Sequence, residues 1–132
     1  PLSDVLSDSE APPRTLVTYR GGGKEYVSED VLRGKVVGLL FGANGPFCCG
    51  FVRNFAKIYA AVKPRDSDPF EVVYVSADTS RREFNRFVKG MPWLALPFRD
   101  NTAVFERYGV PHDVRAWPRL VILTPCDRVW FE

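Results

Sequence analysis

The sequence is poor in the residues that build metal centres and disulfide frameworks. Its 132 residues include three cysteines and a single histidine. An odd number of cysteines, two of them adjacent, does not make a disulfide framework and is typical of an intracellular, reducing compartment. The paired cysteine or histidine spacing of zinc sites is also missing, so we expect no structural metal and no cofactor.

The sequence also lacks features that direct a chain to membranes or polyanions. No apolar stretch approaches the roughly twenty residues of a membrane span, and no basic-then-apolar signal sequence opens the chain. Eighteen Lys and Arg against sixteen Asp and Glu give a formal charge of +2. This near balance predicts neither nucleic acid nor a membrane surface as a partner.

What is present fits one compact domain, since 45% of the residues are apolar and a chain of this length can bury a core. Residues 1–13 are rich in Ser, Asp and Pro without a hydrophobic period, which predicts a flexible N-terminal arm. Residues 14–132 are then the folded domain.

The domain begins with the pattern of a hairpin. Two short runs, Thr15–Tyr19 and Lys24–Val27, flank Gly21-Gly22-Gly23, which we interpret as a turn because the Lys-Ser/Thr of a phosphate loop does not follow. Ser28 then provides a cap for a short helical segment that Gly34 ends.

Strand and helix patterns alternate after the hairpin. Lys35–Ala43 is apolar almost without alternation, as in a central parallel strand covered on both faces. Phe47–Val62 carries apolar residues at spacings of three and four, which predicts a helix packed on that strand. Val72–Ser76 is a second buried strand, and this succession predicts an α/β fold with helices flanking a sheet.

A further helix is predicted to run to Lys89, with Asp78 and Thr79 as capping residues. Ala103–Tyr108 predicts a brief third helix. Arg119–Leu123 and Val129–Phe131 predict a hairpin that closes the sheet.

Two motifs carry a resemblance to a known family. The segment Met91–Phe98 reads Met-Pro-Trp-Leu-Ala-Leu-Pro-Phe, and Phe70–Asp78 reads Phe-Glu-Val-Val-Tyr-Val-Ser-Ala-Asp. With Trp117-Pro118 at the position of the cis-proline turn, the chain from about Thr15 to Phe131 resembles the tryparedoxin and nucleoredoxin branch of the thioredoxin superfamily.

The resemblance implies a thioredoxin-like fold with a central mixed sheet flanked by helices and an N-terminal hairpin. The family continues past the position of Glu132 into a final helix, so the fold expected from this sequence lacks its last helix. Because tryparedoxins belong to kinetoplastid thiol metabolism, the resemblance suggests such an organism. It does not distinguish cytoplasm, mitochondrion and flagellum.

The family's Trp-Cys-Pro-Pro-Cys motif overlays on Asn44–Cys48, where the resemblance places the attacking cysteine at Gly45 and the resolving cysteine at Cys48. Shifting the overlay by one residue aligns Pro46 and Cys49 with the two cysteines instead, so the position of the attacking cysteine still has no thiol. Dithiol exchange needs an exposed thiolate at a helix N-terminus that attacks the substrate disulfide and a second cysteine that releases it. The sequence therefore predicts a degenerate active site.

The role of the remaining thiols stays open at this point. Cys48 and Cys49 are either inert packed thiols or residual redox groups, and they are the only catalytic candidates. Cys126 is interpreted as a bystander and His112 as a solvated loop residue, because neither is placed with a partner for catalysis. Trp117 either fills the groove beside Pro118 or anchors a partner.

We therefore expect a redox-inactive subunit that binds a protein partner, within a larger assembly. The binding groove predicted for that partner comprises Gly45, Pro46, Phe47, Trp117 and Pro118. The alternative is a thiol-disulfide oxidoreductase that acts through Cys48 or Cys49 with trypanothione or glutathione.

Overall fold

One mixed β-sheet of six strands organises the fold. The computed structural model describes residues 15–19, 23–43, 45–62, 70–78, 80–98, 101–109 and 116–124. The predicted arm (1–13), the predicted strand Val129–Phe131, His112 and Cys126 lie outside these ranges.

Within the described ranges the elements follow the predicted succession, with one additional short strand. The strands are β1 (Thr15–Thr18), β2 (Glu25–Ser28), β3 (Val36–Gly42), β4 (Phe70–Ser76), β5 (Leu94–Ala95) and β6 (Arg119–Leu123). The helices are α1 (Pro46–Val62), α2 (Arg81–Val88) and α3 (Asn101–Val104), with a 3-10 turn at Glu29–Leu32 and a π-helical turn at Phe105–Gly109. Across the described ranges, no helix has the length and apolar character needed to cross a membrane.

The order of the strands in the sheet is β2-β1-β5-β4-β3-β6. β1 and β2 form the predicted antiparallel hairpin, while β3 and β4 form the predicted parallel pair, in register from Val36 opposite Phe70 to Gly42 opposite Ser76. β6 pairs with β3 in the antiparallel direction. The thioredoxin-like arrangement expected from the sequence is therefore confirmed.

Each face of the sheet carries its own apolar cluster because successive side chains of a strand point to opposite faces. Leu39 and Phe41 of β3 pack in one cluster, with Val104 of α3. Leu40 packs in the other cluster, beneath residues of α1 and α2. The helices thus cover both faces of the central strands.

Trp93 lies in the second cluster, packed between helix and sheet. Its side chain is 1% exposed, and its ring centroid lies 5.3 Å from that of Phe55 and 5.6 Å from that of Tyr59. At the amino end of β4, Tyr59 donates a hydrogen bond of 2.6 Å to the buried carboxylate of Glu71. Aromatic packing and this hydrogen bond join α1 to the sheet.

The start of α2 differs from the prediction. Ser80 is the N-cap, and its hydroxyl accepts a hydrogen bond of 3.2 Å from the backbone N–H of Glu83. Ser80 and Glu83 have the Ser-x-x-Glu spacing of a capping box, whereas the Asp78 carboxylate accepts a bond from the Ser76 hydroxyl instead. Of the two predicted caps, Asp78 is therefore wrong and Thr79 lies outside the described residues.

We expect Phe84→Ala to lower the free energy of unfolding by about 3–5 kcal/mol, because the ring is fully buried against the sheet and its loss leaves a cavity. Urea unfolding followed by circular dichroism measures the change. Ile58→Ala on α1 is the control, since Ile58 is 57% exposed and a surface change costs about 0.5 kcal/mol or less. Equal losses for the two variants would contradict the assignment of this core.

Candidate functional site

The candidate site lies where β3 ends and the chain turns into α1. Gly42 is the last residue of β3, and a Cβ atom there would lie 3.2 Å from Cε1 of Tyr74 and 3.5 Å from Sγ of Cys48. Because a side chain at this position would be tighter than ordinary contact with Tyr74, glycine lets the Tyr74 ring approach the strand end, while the Cys48 thiol lies at ordinary contact distance. The carboxyl ends of β3 and β4 therefore meet the first turn of α1.

The two adjacent thiols occupy the first turn of α1 and differ in exposure. Neither cysteine forms a disulfide within the described residues; Cys48 is buried, with 4% of its surface exposed, and Cys49 is half-buried. The backbone N–H of Cys49 donates a 2.8 Å bond to the Gly45 carbonyl, which closes the first turn. Neighbouring helix residues project about 100° apart, so the two thiols face different surroundings.

Gly45 precedes α1 and leaves the entrance of the site without a side chain. A Cβ atom built on Gly45 would meet no heavy atom of the described residues within 4 Å. The position that the overlay assigns to the attacking cysteine is thus open in space but carries no thiol. Pro46 and Phe47 begin α1, and their place in the binding groove stays a prediction.

The peptide bond between Trp117 and Pro118 is cis, as the resemblance implies. Arg119, the next residue, pairs with Phe41 in the β3–β6 ladder, which places the cis bond beside the end of β3. The Trp117 side chain is 39% exposed, so a large part of the indole is accessible. Gly45, Cys48 and the cis bond therefore share one edge of the sheet.

A polar cluster that the sequence did not predict lies at the same edge. The Asp78 carboxylate accepts hydrogen bonds from the Ser76 hydroxyl at 2.7 Å and from the Tyr74 hydroxyl at 3.3 Å. The backbone N–H of Ser76 donates to Oδ1 of Asn101 at 2.7 Å, which ties α3 to the end of β4. The sequence signal for this cluster is the pair Ser76 and Asp78 at the carboxyl end of a buried parallel strand, because ligands bind at that end of such sheets.

Burial raises the pKa of Tyr74 strongly, and the negative charge of Asp78 raises it further. The phenol therefore keeps its proton throughout the physiological range. A protonated Tyr74 can donate hydrogen bonds beside Cys48 but cannot serve there as a base.

No three His, Cys, Asp or Glu side chains come together as metal ligands within the described ranges. The predicted bystander Cys126 and loop residue His112 fall outside those ranges. The residues that the structure does bring together are Gly45, Cys48, Cys49 and the Trp117-Pro118 bond.

A mixed sheet flanked by helices, thiols at a strand-to-helix junction and a cis-proline beside them define a thioredoxin-fold protein. The sequence profile described as thioredoxin-like matches residues 34–129. The chain belongs to this thioredoxin-like family, within its tryparedoxin and nucleoredoxin branch.

Three similar proteins illustrate this membership. A probable nucleoredoxin 2 of Oryza sativa subsp. japonica is 39% identical over 125 residues, which are 94% of this chain and 30% of that protein. Tryparedoxin from Trypanosoma brucei superposes with a TM-score of 0.71 at 33% identity, covering 87% of this chain and 77% of its own. A tryparedoxin II complexed with glutathionylspermidine gives a TM-score of 0.72 at 27% identity, with 94% and 82% covered.

The chain spans less than a third of the length of the curated relatives it matches, as the 30% coverage of the rice protein shows. Plant and trypanosome proteins both resemble it, so a kinetoplastid source stays a prediction. The tryparedoxin and nucleoredoxin resemblance is confirmed, whereas the degenerate character of the site stays a prediction.

The raised pKa of Tyr74 gives the protein a specific alkaline sensitivity. Its stabilising contribution is complete below the ordinary value of 10.0 and is lost as the pH rises above it, since the unfolded chain then releases a proton that the folded chain retains. We expect this effect to lower the free energy of unfolding of the wild-type chain by about 1.4 kcal/mol per pH unit above that value. We expect Tyr74→Phe to remove this dependence on pH.

Urea unfolding at a series of pH values from about 8 to about 11 measures this slope. Tyr26→Phe on β2 is the matched control, because Tyr26 is only half-buried. If the free energy of unfolding of Tyr74→Phe fell with pH as steeply as that of the wild type, the result would contradict the burial of the phenol in a site that favours its neutral form.

Proposed function

We propose that this chain is a redox-inactive recognition module of the tryparedoxin and nucleoredoxin branch, which binds a protein partner as a subunit of a larger assembly. One observation carries the proposal. The open entrance of the site is occupied by Gly45, which has no thiol, while Cys48 behind it is 4% exposed.

Geometry supports this proposal because thiol-disulfide exchange requires direct contact between a thiolate and a substrate sulfur. An attacking thiol must therefore be accessible. Cys48 is packed beside Gly42 and is 4% exposed, so a protein disulfide has no direct approach to its sulfur. The position from which an approach is open, Gly45, offers no nucleophile.

The proposed binding groove uses Gly45, Pro46, Phe47, Trp117 and Pro118. The exposed indole of Trp117 provides a large apolar contact next to a backbone fixed by the cis bond, and exposed aromatic residues are frequent anchors of interfaces. In the family, the residue before the cis-proline pairs through its backbone with an extended peptide. We expect the partner to present such a segment in an intracellular, reducing compartment, without nucleic acid or membrane.

The second candidate function is a single-cysteine oxidoreductase, and the half-burial of Cys49 favours it. Its thiolate would attack a disulfide R–S–S–R, form a mixed disulfide and release one R–S⁻. A second thiolate from trypanothione or glutathione would then attack the mixed disulfide and regenerate the cysteine, so that the external thiol is oxidised. The complex of a tryparedoxin II with glutathionylspermidine supports such a thiol as the reductant.

The first test restores the missing thiol. We expect the wild-type chain to show no insulin disulfide reduction above the reagent blank with dithiothreitol or trypanothione. Gly45→Cys places a thiol where a Cβ meets open space, and we expect it to gain turnover because the Cys-x-x-Cys spacing to Cys48 is recreated.

Gly45→Ser is the matched control, since it adds a side chain of similar size without a thiol, and we expect it to stay inactive. Adding Cys48→Ser to Gly45→Cys is expected to abolish the gained turnover by removing the resolving thiol. Wild-type turnover that Cys48→Ser or Cys49→Ser eliminates would overturn the recognition proposal and establish the single-cysteine enzyme.

The second test compares the two native thiols by alkylation under native conditions. We expect iodoacetamide to modify Cys49 faster than Cys48, because Cys48 is buried and Cys49 only half-buried. Peptide mass spectrometry over a time course measures both rates, and the urea-unfolded chain provides the reference. Faster labelling of Cys48 would contradict its placement beneath Gly42.

A further inference from the structure

A shallow depression of about 270 Å³ lies on the outer side of α2, away from the sheet. It is lined by Arg82, Asn85, Arg86 and Lys89. The spacings of three and four residues place these side chains on one helix face. We call Arg82, Arg86 and Lys89 the basic face of α2, and all three are exposed.

The basic face has little compensating charge. Glu83 lies 3.8 Å from Arg86, and both side chains are substantially exposed, so this pair is weak. Arg82 and Lys89 make no ion pair with any carboxylate in the described part of the chain. Three cations on two turns of helix therefore attract an anionic ligand.

Asn85 also lines the depression, but its Oδ1 is buried within the protein, so the three cations select the ligand. A peptide with acidic side chains supplies carboxylates to these cations.

The chain itself contains a segment of this chemistry. Residues 1–13 carry Asp4, Asp8 and Glu10 and no Lys, Arg or His. The total charge of +2 is therefore divided unevenly between an acidic N-terminal segment and the rest of the chain.

Topology brings the two oppositely charged regions to one edge of the sheet. β1 runs antiparallel to β5, with Val17 opposite Ala95. β5 in turn runs parallel to β4, with Ala95 opposite Tyr74. Thr15, two residues earlier in β1, is therefore level with Ser76 at the carboxyl end of β4. Thr15, the first described residue, therefore lies at the edge of the sheet where α2 begins.

The distance is within reach of the segment. β1 and β4 are separated by one strand, or roughly 10 Å, and α2 packs over this part of the sheet through Phe84 and Val88. The eleven residues from Asp4 to Thr15 span up to about 37 Å when extended, which exceeds this separation and the roughly 12 Å length of the eight-residue α2 taken together.

We propose that the basic face of α2 binds the acidic segment Asp4–Glu10 of the same chain. This contact is separate from the groove at Trp117 and does not depend on the function proposed for that groove. Because the pairs are exposed, the contact is reversible and weakens as salt rises.

Zero-length carbodiimide coupling tests the contact on the full chain, because it joins a carboxylate to an amine only when the two touch. Within the basic face only Lys89 carries an amine. We expect peptide mass spectrometry of the monomer fraction to find Lys89 coupled to Asp4, Asp8 or Glu10 in preference to Lys57, an exposed lysine on α1.

Charge reversal provides the matched pair of variants. Arg82→Glu keeps Lys89 as the reporter and is expected to lower its coupling roughly two- to fivefold, the range of an exposed ion pair. Arg53→Glu on the exposed side of α1 is expected to leave it unchanged. About 1 M salt, where the screening length is about 3 Å, is expected to lower the wild-type yield as well.

Several outcomes would overturn the proposal. Equal coupling of the segment to Lys57 and Lys89 would show that no specific contact exists. Lys89 coupled only in dimers would assign the face to a second copy of the chain. As an independent readout, the triple variant D4N/D8N/E10Q is expected to shift the amide resonances of residues 82–89 relative to wild type, and unchanged resonances would also refute the contact.

Discussion

The close approach at Gly42 is the constraint on which the site depends. A side-chain carbon there would lie 3.2 Å from the Tyr74 ring, which is closer than ordinary van der Waals contact, and 3.5 Å from the Cys48 sulfur. Glycine allows the strand, the ring and the first turn of α1 to meet, and the Gly42 carbonyl accepts a 2.7 Å hydrogen bond from the backbone N–H of Ala77. The position of the polar cluster at the end of β4 therefore follows from the end of β3.

The same constraint separates the architecture of the site from its reactivity. Packing beneath Gly42 takes the Cys48 thiol out of solvent, and the accessible position one turn earlier is Gly45, which has no side chain. The cis bond at Pro118 nevertheless remains at the edge of the sheet, with an exposed Trp117 before it. The cis-proline edge of the fold is therefore retained beside a position, Gly45, that carries no thiol.

The sequence predicts those parts of the fold that depend on periodicity or on a motif, including β3, α1, β4 and the cis bond at Pro118. It does not predict β5, because two residues within the Met91–Phe98 motif are too short to show a strand period. The sequence does not identify the N-cap of α2, because Asp78 and Ser80 are both good capping residues. In the structure Ser80 caps the helix, whereas the Asp78 carboxylate accepts a hydrogen bond from Ser76. The hydrogen bond of Tyr74 to Asp78 and the approach of Tyr74 to Gly42 depend on strand register, which a pattern of apolar residues does not specify.

The direction of the Tyr74 pKa shift shows what this edge of the sheet favours. Strongly perturbed titratable groups often mark catalytic sites, where a nucleophile is activated by an environment that favours its ionised form. The environment of Tyr74 acts in the opposite sense, because burial and the Asp78 charge both favour the protonated phenol. A phenol that keeps its proton can donate to the Asp78 carboxylate, and it therefore stabilises a packed, hydrogen-bonded edge of the sheet.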